Sequence, residues 1–224
     1  MDSDLAYKFG YPTKCQYYSS CEIHRSIEEI QPYYQAGTLK KVMLIGQDPT
    51  IYDKPERVDT VLMLNETKGR NGQLRRWLRN ELFGNCFDDM ELYATNLVKC
   101  QFLSPPTQHS KKAFQFLEEK FENCKQYLYK EISEFKPDVV LTLGESTHLL
   151  FSKEIESYCD WGKEISMKNN FTGEFIMVKL KGLNFSFEYS PCLHIKTFRV
   201  AETYGQSVIN FKKSLSQKMN NSRK

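Results

Sequence analysis

Residues 40–50 read KKVMLIGQDPT. Val42, Met43, Leu44 and Ile45 make a short unbroken apolar run, the pattern of a strand buried on both faces of a parallel sheet. Gly46 ends the run. Gln47, Asp48, Pro49 and Thr50 follow as a polar turn in which the proline ring fixes one backbone angle. A carboxylate just past the C-terminal end of a buried strand stands where open α/β sheets build their sites. Taken alone, the stretch fits two readings equally: a catalytic edge carrying Asp48, or an ordinary strand-to-loop turn in which Asp48 caps the next segment.

On the N-terminal side, Ser26 is placed to cap a short helix, SIEEIQ, ahead of Pro32, and Tyr33–Thr38 reads as a loop into the strand. On the C-terminal side, Ile51–Asp59 reads as loop, and Val61–Leu64 is a short apolar run that lines something. Lys68–Gly84 carries Leu74, Trp77, Leu78, Leu82 and Phe83 near helical spacing, with Gly84 as the stop. Glu91–Lys99 predicts a second strand with Asn96 at its polar end. A Pro-rich loop follows, and Ser110–Phe135 predicts a long helix with an apolar stripe at Phe114, Leu117, Phe121, Cys124, Leu128 and Ile132. Pro137–Leu143 predicts a third buried strand, and Gly144–Glu145 open a helix through Phe151. Glu174–Leu180 and Phe185–Tyr189 alternate apolar and polar residues around a Gly182–Asn184 turn, and an amphipathic helix spans about Thr197–Met219.

Strands alternating with helices predict a three-layer α/β/α sandwich with a mainly parallel central sheet, as one domain over residues 1–224. Three loops then gather at the strands' C-terminal edge: 46–52, 96–104 and 190–196. The composition, 40% hydrophobic and 26% charged, is that of a water-soluble globular protein. No apolar run reaches the ~20 residues that span a bilayer, and the N-terminus lacks the apolar core of a signal peptide. No membrane association and a cytoplasmic location are therefore expected. A net charge of +3 does not by itself point to nucleic acid, so any such partner has to be met by local charge. Seven cysteines without a secretion signal argue against a disulfide framework and leave thiols, metal ligands or an iron–sulfur cluster.

Several segments in fixed order resemble the iron–sulfur uracil-DNA glycosylases of families 4 and 5. They are Asn96-Leu-Val-Lys-Cys100, Cys124-Lys-Gln-Tyr-Leu, Lys136-Pro-Asp-Val-Val-Leu-Thr-Leu-Gly144 and Gly69-Arg-Asn-Gly-Gln-Leu74. Gly46-Gln-Asp-Pro49 resembles the family's first motif, in a form closer to family 1. The resemblance runs from about Cys15 to Lys196 and implies a uracil-DNA glycosylase-like fold that acts on DNA in base-excision repair; a monomer is expected. It also implies a 4Fe–4S cluster held by Cys15, Cys21, Cys100 and Cys124, since iron–sulfur clusters need thiolate ligands. Five residues separate Cys15 from Cys21 where the family usually has two. The competing reading is of ordinary buried thiols, which is also the reading of Cys86, Cys159 and Cys192.

The resemblance assigns Asp48 as the carboxylate that stabilises a sugar cation and orients water. It assigns Asn96 as the amide that reads a flipped pyrimidine, with Gly46, Gln47, Thr50 and Thr67 beside the base. The family's second motif is His-Pro followed by a small residue, but here the run is Tyr189-Ser-Pro-Cys-Leu-His194. Ser190 stands at the His position, with His194 four residues on as a partial substitute. Thr67 falls where the family has a stacking aromatic, and Thr50 where family 1 has a Tyr that excludes thymine's methyl. A roomier pocket and a modified or damaged pyrimidine substrate are expected. Lys68, Arg70, Lys196 and Arg199 are the candidate phosphate contacts, and Leu193 the candidate wedge into the gap left by the base. The alternative for these residues is a solvated basic face with Leu193 packed inward. The rival function is a nucleic-acid-binding member of the same fold with altered catalysis, in damage sensing or defence.

Overall fold

The apolar run of residues 42–45 becomes the centre of a sheet. In the computed structural model, which describes residues 9–10, 12, 30–49, 59–99, 102, 113–156, 167, 171–195 and 205–220, the strands are β1 Tyr33–Gln35, β2 Lys41–Gly46, β3 Glu91–Asn96, β4 Val139–Leu143, β5 Ile176–Val178 and β6 Phe187–Cys192. They lie side by side in the order β1-β3-β2-β4-β6-β5. The four inner strands are parallel, and β1 and β5 close the two edges antiparallel.

Helices cover both faces. Val42, Leu44, Leu92, Ala94, Val139 and Leu141 point into one apolar core with Trp77, Leu78, Val208, Phe211 and Leu215. These come from α1 (Gln73–Trp77), its π-helical continuation Leu78–Phe83, and α4 (Gly205–Asn220). Met43, Ile45, Tyr93, Val140 and Tyr189 point the other way, against α2 (Ala113–Phe135) and α3 (Glu145–Ser152). Consecutive strand residues alternate between the two cores, which is why the run needs no polar positions. The expected three-layer α/β/α architecture is the one observed.

Three expectations change. Tyr33–Gln35 is not a loop: it pairs antiparallel with β3, Tyr33 opposite Ala94. Two aromatics and a short polar end suffice for an edge strand, and the segment was too short to show alternation. The helix expected through Phe83 is α-helical only to Trp77, then widens to π geometry, and ends at Gly84 with φ 56. Ser190, Pro191 and Cys192 are strand rather than loop, pairing with Leu141, Thr142 and Leu143. Pro191 is tolerated because β5 stops at the Ile176–Tyr189 pair, so no second ladder asks for its missing N–H. Of the short helix expected at SIEEIQ, residues 26–29 lie outside the described residues, whereas Gln31 bridges to Thr60. Residues 110–112 and 197–204 of the two long predicted helices also lie outside them.

The chain leaves β2 toward β3 on one side, and leaves β4 toward β6 on the other. The order therefore reverses at β2 and β4, the point at whose C-terminal edge open α/β sheets place their crevices. Gly46 ends β2 at that edge, and Gln47 and Asp48 follow it.

Candidate active site

The floor of the site is a register pair. Gly46 at the end of β2 lies opposite Asn96 at the end of β3. A Cβ on Gly46 would run into Asn96 Oδ1 and come within 2.9 Å of Leu62 Cδ2. The glycine is therefore required by close approach, and the Asn96 amide and the Leu62 side chain meet over it. Asn96 is 1% exposed, and its Oδ1 is buried without a hydrogen-bond partner. A buried carbonyl oxygen left unmet costs about 1–3 kcal/mol, so its acceptor capacity is unspent.

Beyond Gly46 the turn is tied to β3's continuation. Leu97 N–H donates to the Gly46 carbonyl at 2.8 Å, and Val98 N–H to the Gln47 carbonyl at 3.0 Å. Gln47 Nε2 donates to Asp48 Oδ1 at 2.5 Å, and both side chains are half-buried while Pro49 is buried. Asp48 is thus oriented by its neighbour and stays partly open to solvent.

Leu62 sits in a short 3₁₀ turn, Val61–Met63, in which Leu62 (φ 59) and Met63 (φ 50) both adopt the left-handed region. Such residues cost about 1–2 kcal/mol each and persist where their surroundings hold them. Here Val61 N–H donates to the Gln31 carbonyl at 2.7 Å, and Arg75 Nη1 donates to the Leu64 carbonyl at 2.7 Å. The apolar run expected to line something does so through Leu62.

Behind Asn96, on the opposite face of the sheet, lies a fully buried polar cluster. Lys99 Nζ donates to Thr95 Oγ1 at 2.5 Å, to the Asn96 carbonyl at 2.6 Å and to Glu131 Oε2 at 2.5 Å. Tyr93 and Thr95 hydroxyls both donate to Glu131 Oε1 at 2.7 Å. Neither Lys99 nor Glu131 was singled out from the sequence. The available signal was Glu131 itself, a carboxylate on the apolar stripe of α2 between Leu128 and Phe135.

The β6 side is different from expectation. Ser190 is fully buried and its Oγ donates to the Pro191 carbonyl at 3.3 Å. Register places it level with Leu141, Leu44 and Ala94, one pleat below the Gly46–Asn96 row. It is also three strands from Asn96, about 14 Å at ordinary strand spacing. Ser190 and Asn96 are therefore not brought together. Cys192 is the β6 residue in the Asn96 row; it is buried, and burial pushes its thiol pKa up. Leu193 is packed into the core, and His194 is exposed just past the strand. Thr67, Lys68 and Arg70 are all exposed. Thr67 faces solvent and its carbonyl accepts from Arg76 Nη1 at 2.9 Å. Thr50, Lys196 and Arg199 lie outside the described residues.

Residues 32–217 match the sequence profile of the Uracil DNA glycosylase superfamily. The chain belongs to that superfamily. It is similar to a type-4 uracil-DNA glycosylase of Saccharolobus solfataricus, 29% identical over 141 residues. That match covers 62% of this chain and 56% of the relative, so the chain spans little more than half of the relative's length. Membership in the uracil DNA glycosylase superfamily accounts for the fold: the matched region takes in the whole sheet and all of α1 to α3. In this superfamily member Cys124 is buried on α2, and its Sγ accepts the Lys99 backbone N–H at 3.4 Å. Lys99 immediately precedes Cys100 in sequence. Cys15, Cys21 and Cys100 lie outside the described residues. Among the described residues no three His, Cys, Asp or Glu side chains converge on a metal position, and no helix is long and apolar enough to cross a membrane.

Proposed function

We propose that this chain is a DNA N-glycosylase that hydrolyses the glycosidic bond of uracil or a modified pyrimidine flipped out of DNA. The observation that carries the reading is the buried, unpartnered Asn96 Oδ1 over Gly46, with the oriented carboxylate of Asp48 two residues on in the same turn. A pyrimidine with an N3–H and an adjacent carbonyl offers a donor and an acceptor side by side. The Asn96 amide offers the complementary pair. Bond cleavage sends the C1′–N1 electron pair onto the base and leaves positive charge on the sugar. Asp48 stabilises that charge, and water adds to C1′ as its proton passes to a carboxylate. The products are the free base and an abasic site.

The leaving base carries negative charge, and the donors on the β6 side are weak candidates to meet it: Ser190 is committed to Pro191 and buried, and His194 is exposed. Losing one strong transition-state donor costs about 3 kcal/mol. Bases whose N1 anion is intrinsically more stable are therefore the better substrates. Duplex and single-stranded DNA carrying uracil, 5-fluorouracil or bulky 5-substituted uracils tests this, with abasic sites scored by alkaline cleavage. We expect 5-fluorouracil to be excised faster than uracil. Asp48→Asn should abolish turnover and keep DNA binding. Wild-type protein that binds DNA but excises none of these bases would support the rival reading of a binding member of the fold.

We further propose that Cys15, Cys21, Cys100 and Cys124 hold a 4Fe–4S cluster. Support comes from the chemistry of Cys124, a buried thiol accepting a backbone N–H, as thiolate ligands of clusters do. When bound, the cluster supplies a cross-link between the four segments rather than a step in hydrolysis. Protein purified without oxygen should be brown, and Cys124→Ala should lose the iron and the colour.

A further inference from the structure

We propose that Lys99 is a positioning residue: its buried ammonium pins the Asn96 carbonyl and thereby holds the Asn96 amide and the GQDP turn in the geometry that meets a base. The idea rests on the base-excising reading of the same site. Among the described residues, Lys99 Nζ donates to Thr95 Oγ1, the Asn96 carbonyl and Glu131 Oε2. Glu131 is held in turn by Tyr93 and Thr95, so the ring of bonds is closed. Both charged side chains are fully excluded from solvent.

A buried ion pair is by itself a weak stabiliser. It can often be replaced by apolar side chains of similar volume without loss. What an apolar pair cannot do is bond the Asn96 carbonyl. That carbonyl belongs to a peptide plane held from both sides. Its oxygen accepts from Lys99, and the N–H of the same peptide, on Leu97, donates to the Gly46 carbonyl at 2.8 Å. With that plane fixed and the backbone before Asn96 held in the β2–β3 ladder, the direction of the Asn96 Cα–Cβ bond is fixed. This matters because Asn96 Oδ1 has no hydrogen bond of its own to orient the amide. The next N–H, on Val98, donates to the Gln47 carbonyl at 3.0 Å, so the same clamp reaches the residue that orients Asp48.

The test uses Lys99→Met and the paired variant Lys99→Met/Glu131→Leu, the second to avoid leaving a buried carboxylate alone. Amide hydrogen exchange, thermal melting, and kcat and KM on the best uracil-containing DNA are measured. We expect the paired variant to melt cooperatively and to keep wild-type protection in β4. Leu97 and Val98 should exchange at least about tenfold faster. We also expect kcat to fall about 30-fold with KM changed less than threefold, since small misplacements of a reacting group cost up to about 10²-fold in rate. Wild-type exchange at Leu97 in the folded paired variant, or an unchanged kcat, overturns the proposal. If the wild type itself excises no base, the base-excision reading fails, and exchange at Leu97 alone decides on Lys99.

Discussion

Gly46 has room for a hydrogen and nothing larger on the side that faces Asn96. Gly46→Ala forces a methyl against Asn96 Oδ1 and against Leu62 Cδ2. Neither neighbour gives easily: Asn96 is buried, and Leu62 belongs to a turn held by bonds to Gln31 and Arg75. We expect the substitution to cost about 1–3 kcal/mol of stability by overpacking, and about 10²-fold in kcat/KM through displacement of the amide. Urea titration and steady-state excision measure the two separately. A folded, fully active Gly46→Ala protein would place base reading elsewhere. Gly46 and Asn96 were legible in sequence because each ends an apolar strand run, and strand ends at a sheet's carboxyl edge are site positions by geometry. Leu62 was less so. Nothing in Thr60-Val-Leu-Met-Leu64 announces two successive left-handed residues, since neither is glycine or asparagine and the turn is held by contacts distant in sequence. Ser190 was misread as a loop residue because Pro191 reads locally as a strand breaker. The stopping point of β5, which makes Pro191 harmless, is a tertiary fact.

At the scale of elements, β6 and α3 are joined by a second buried polar chain. The Tyr189 hydroxyl lies 2.6 Å from His148 Nδ1 and 2.9 Å from Thr142 Oγ1. Burial lowers the His148 pKa from 6.5 to about 4. Between those two values the unfolded chain binds a proton that the folded chain refuses. The His148 contribution to stability is therefore complete above about pH 6.5 and is lost as pH falls, by about 1.4 kcal/mol per pH unit, reaching about 3 kcal/mol near pH 4. His148→Asn can still bond Tyr189 but does not titrate. Its denaturation midpoint should vary less with pH between 6.5 and 4 than that of the wild type, and identical pH slopes would remove His148 as the cause. The helices and strands that carry this chain were readable from periodicity: α3 and β4 follow the expected spans within a few residues. The polar chain inside was not, because Thr142 and Tyr189 also suit any half-buried strand, and a histidine in a short helix has no pattern that says which way it faces. The same limit hid Lys99 and Glu131, whose pairing depends on α2 crossing β3.

For the whole molecule, charge and topology bear on how DNA would be held. The chain carries 31 basic and 28 acidic side chains, a net charge of +3, so long-range attraction to a polyanion is weak. On the proposed reading, binding would then depend on a small number of phosphate contacts at the sheet's C-terminal edge. Lys68 and Arg70 are exposed on the segment leading into α1, on the same side of the sheet as Gly46 and Asn96. Lys196 and Arg199 follow β6 in sequence. Four such contacts predict that log Kd varies with log salt with a slope of about 3.6, since each neutralised phosphate contributes about 0.9. Lys68→Ala/Arg70→Ala should roughly halve that slope, to about 1.8, by removing two contacts. Both side chains are exposed, so the variant should melt like the wild type. Fluorescence anisotropy on an abasic-site duplex between 50 and 200 mM salt would measure it, because a product duplex cannot turn over during the titration. A slope unchanged in the variant would remove Lys68 and Arg70 as phosphate contacts.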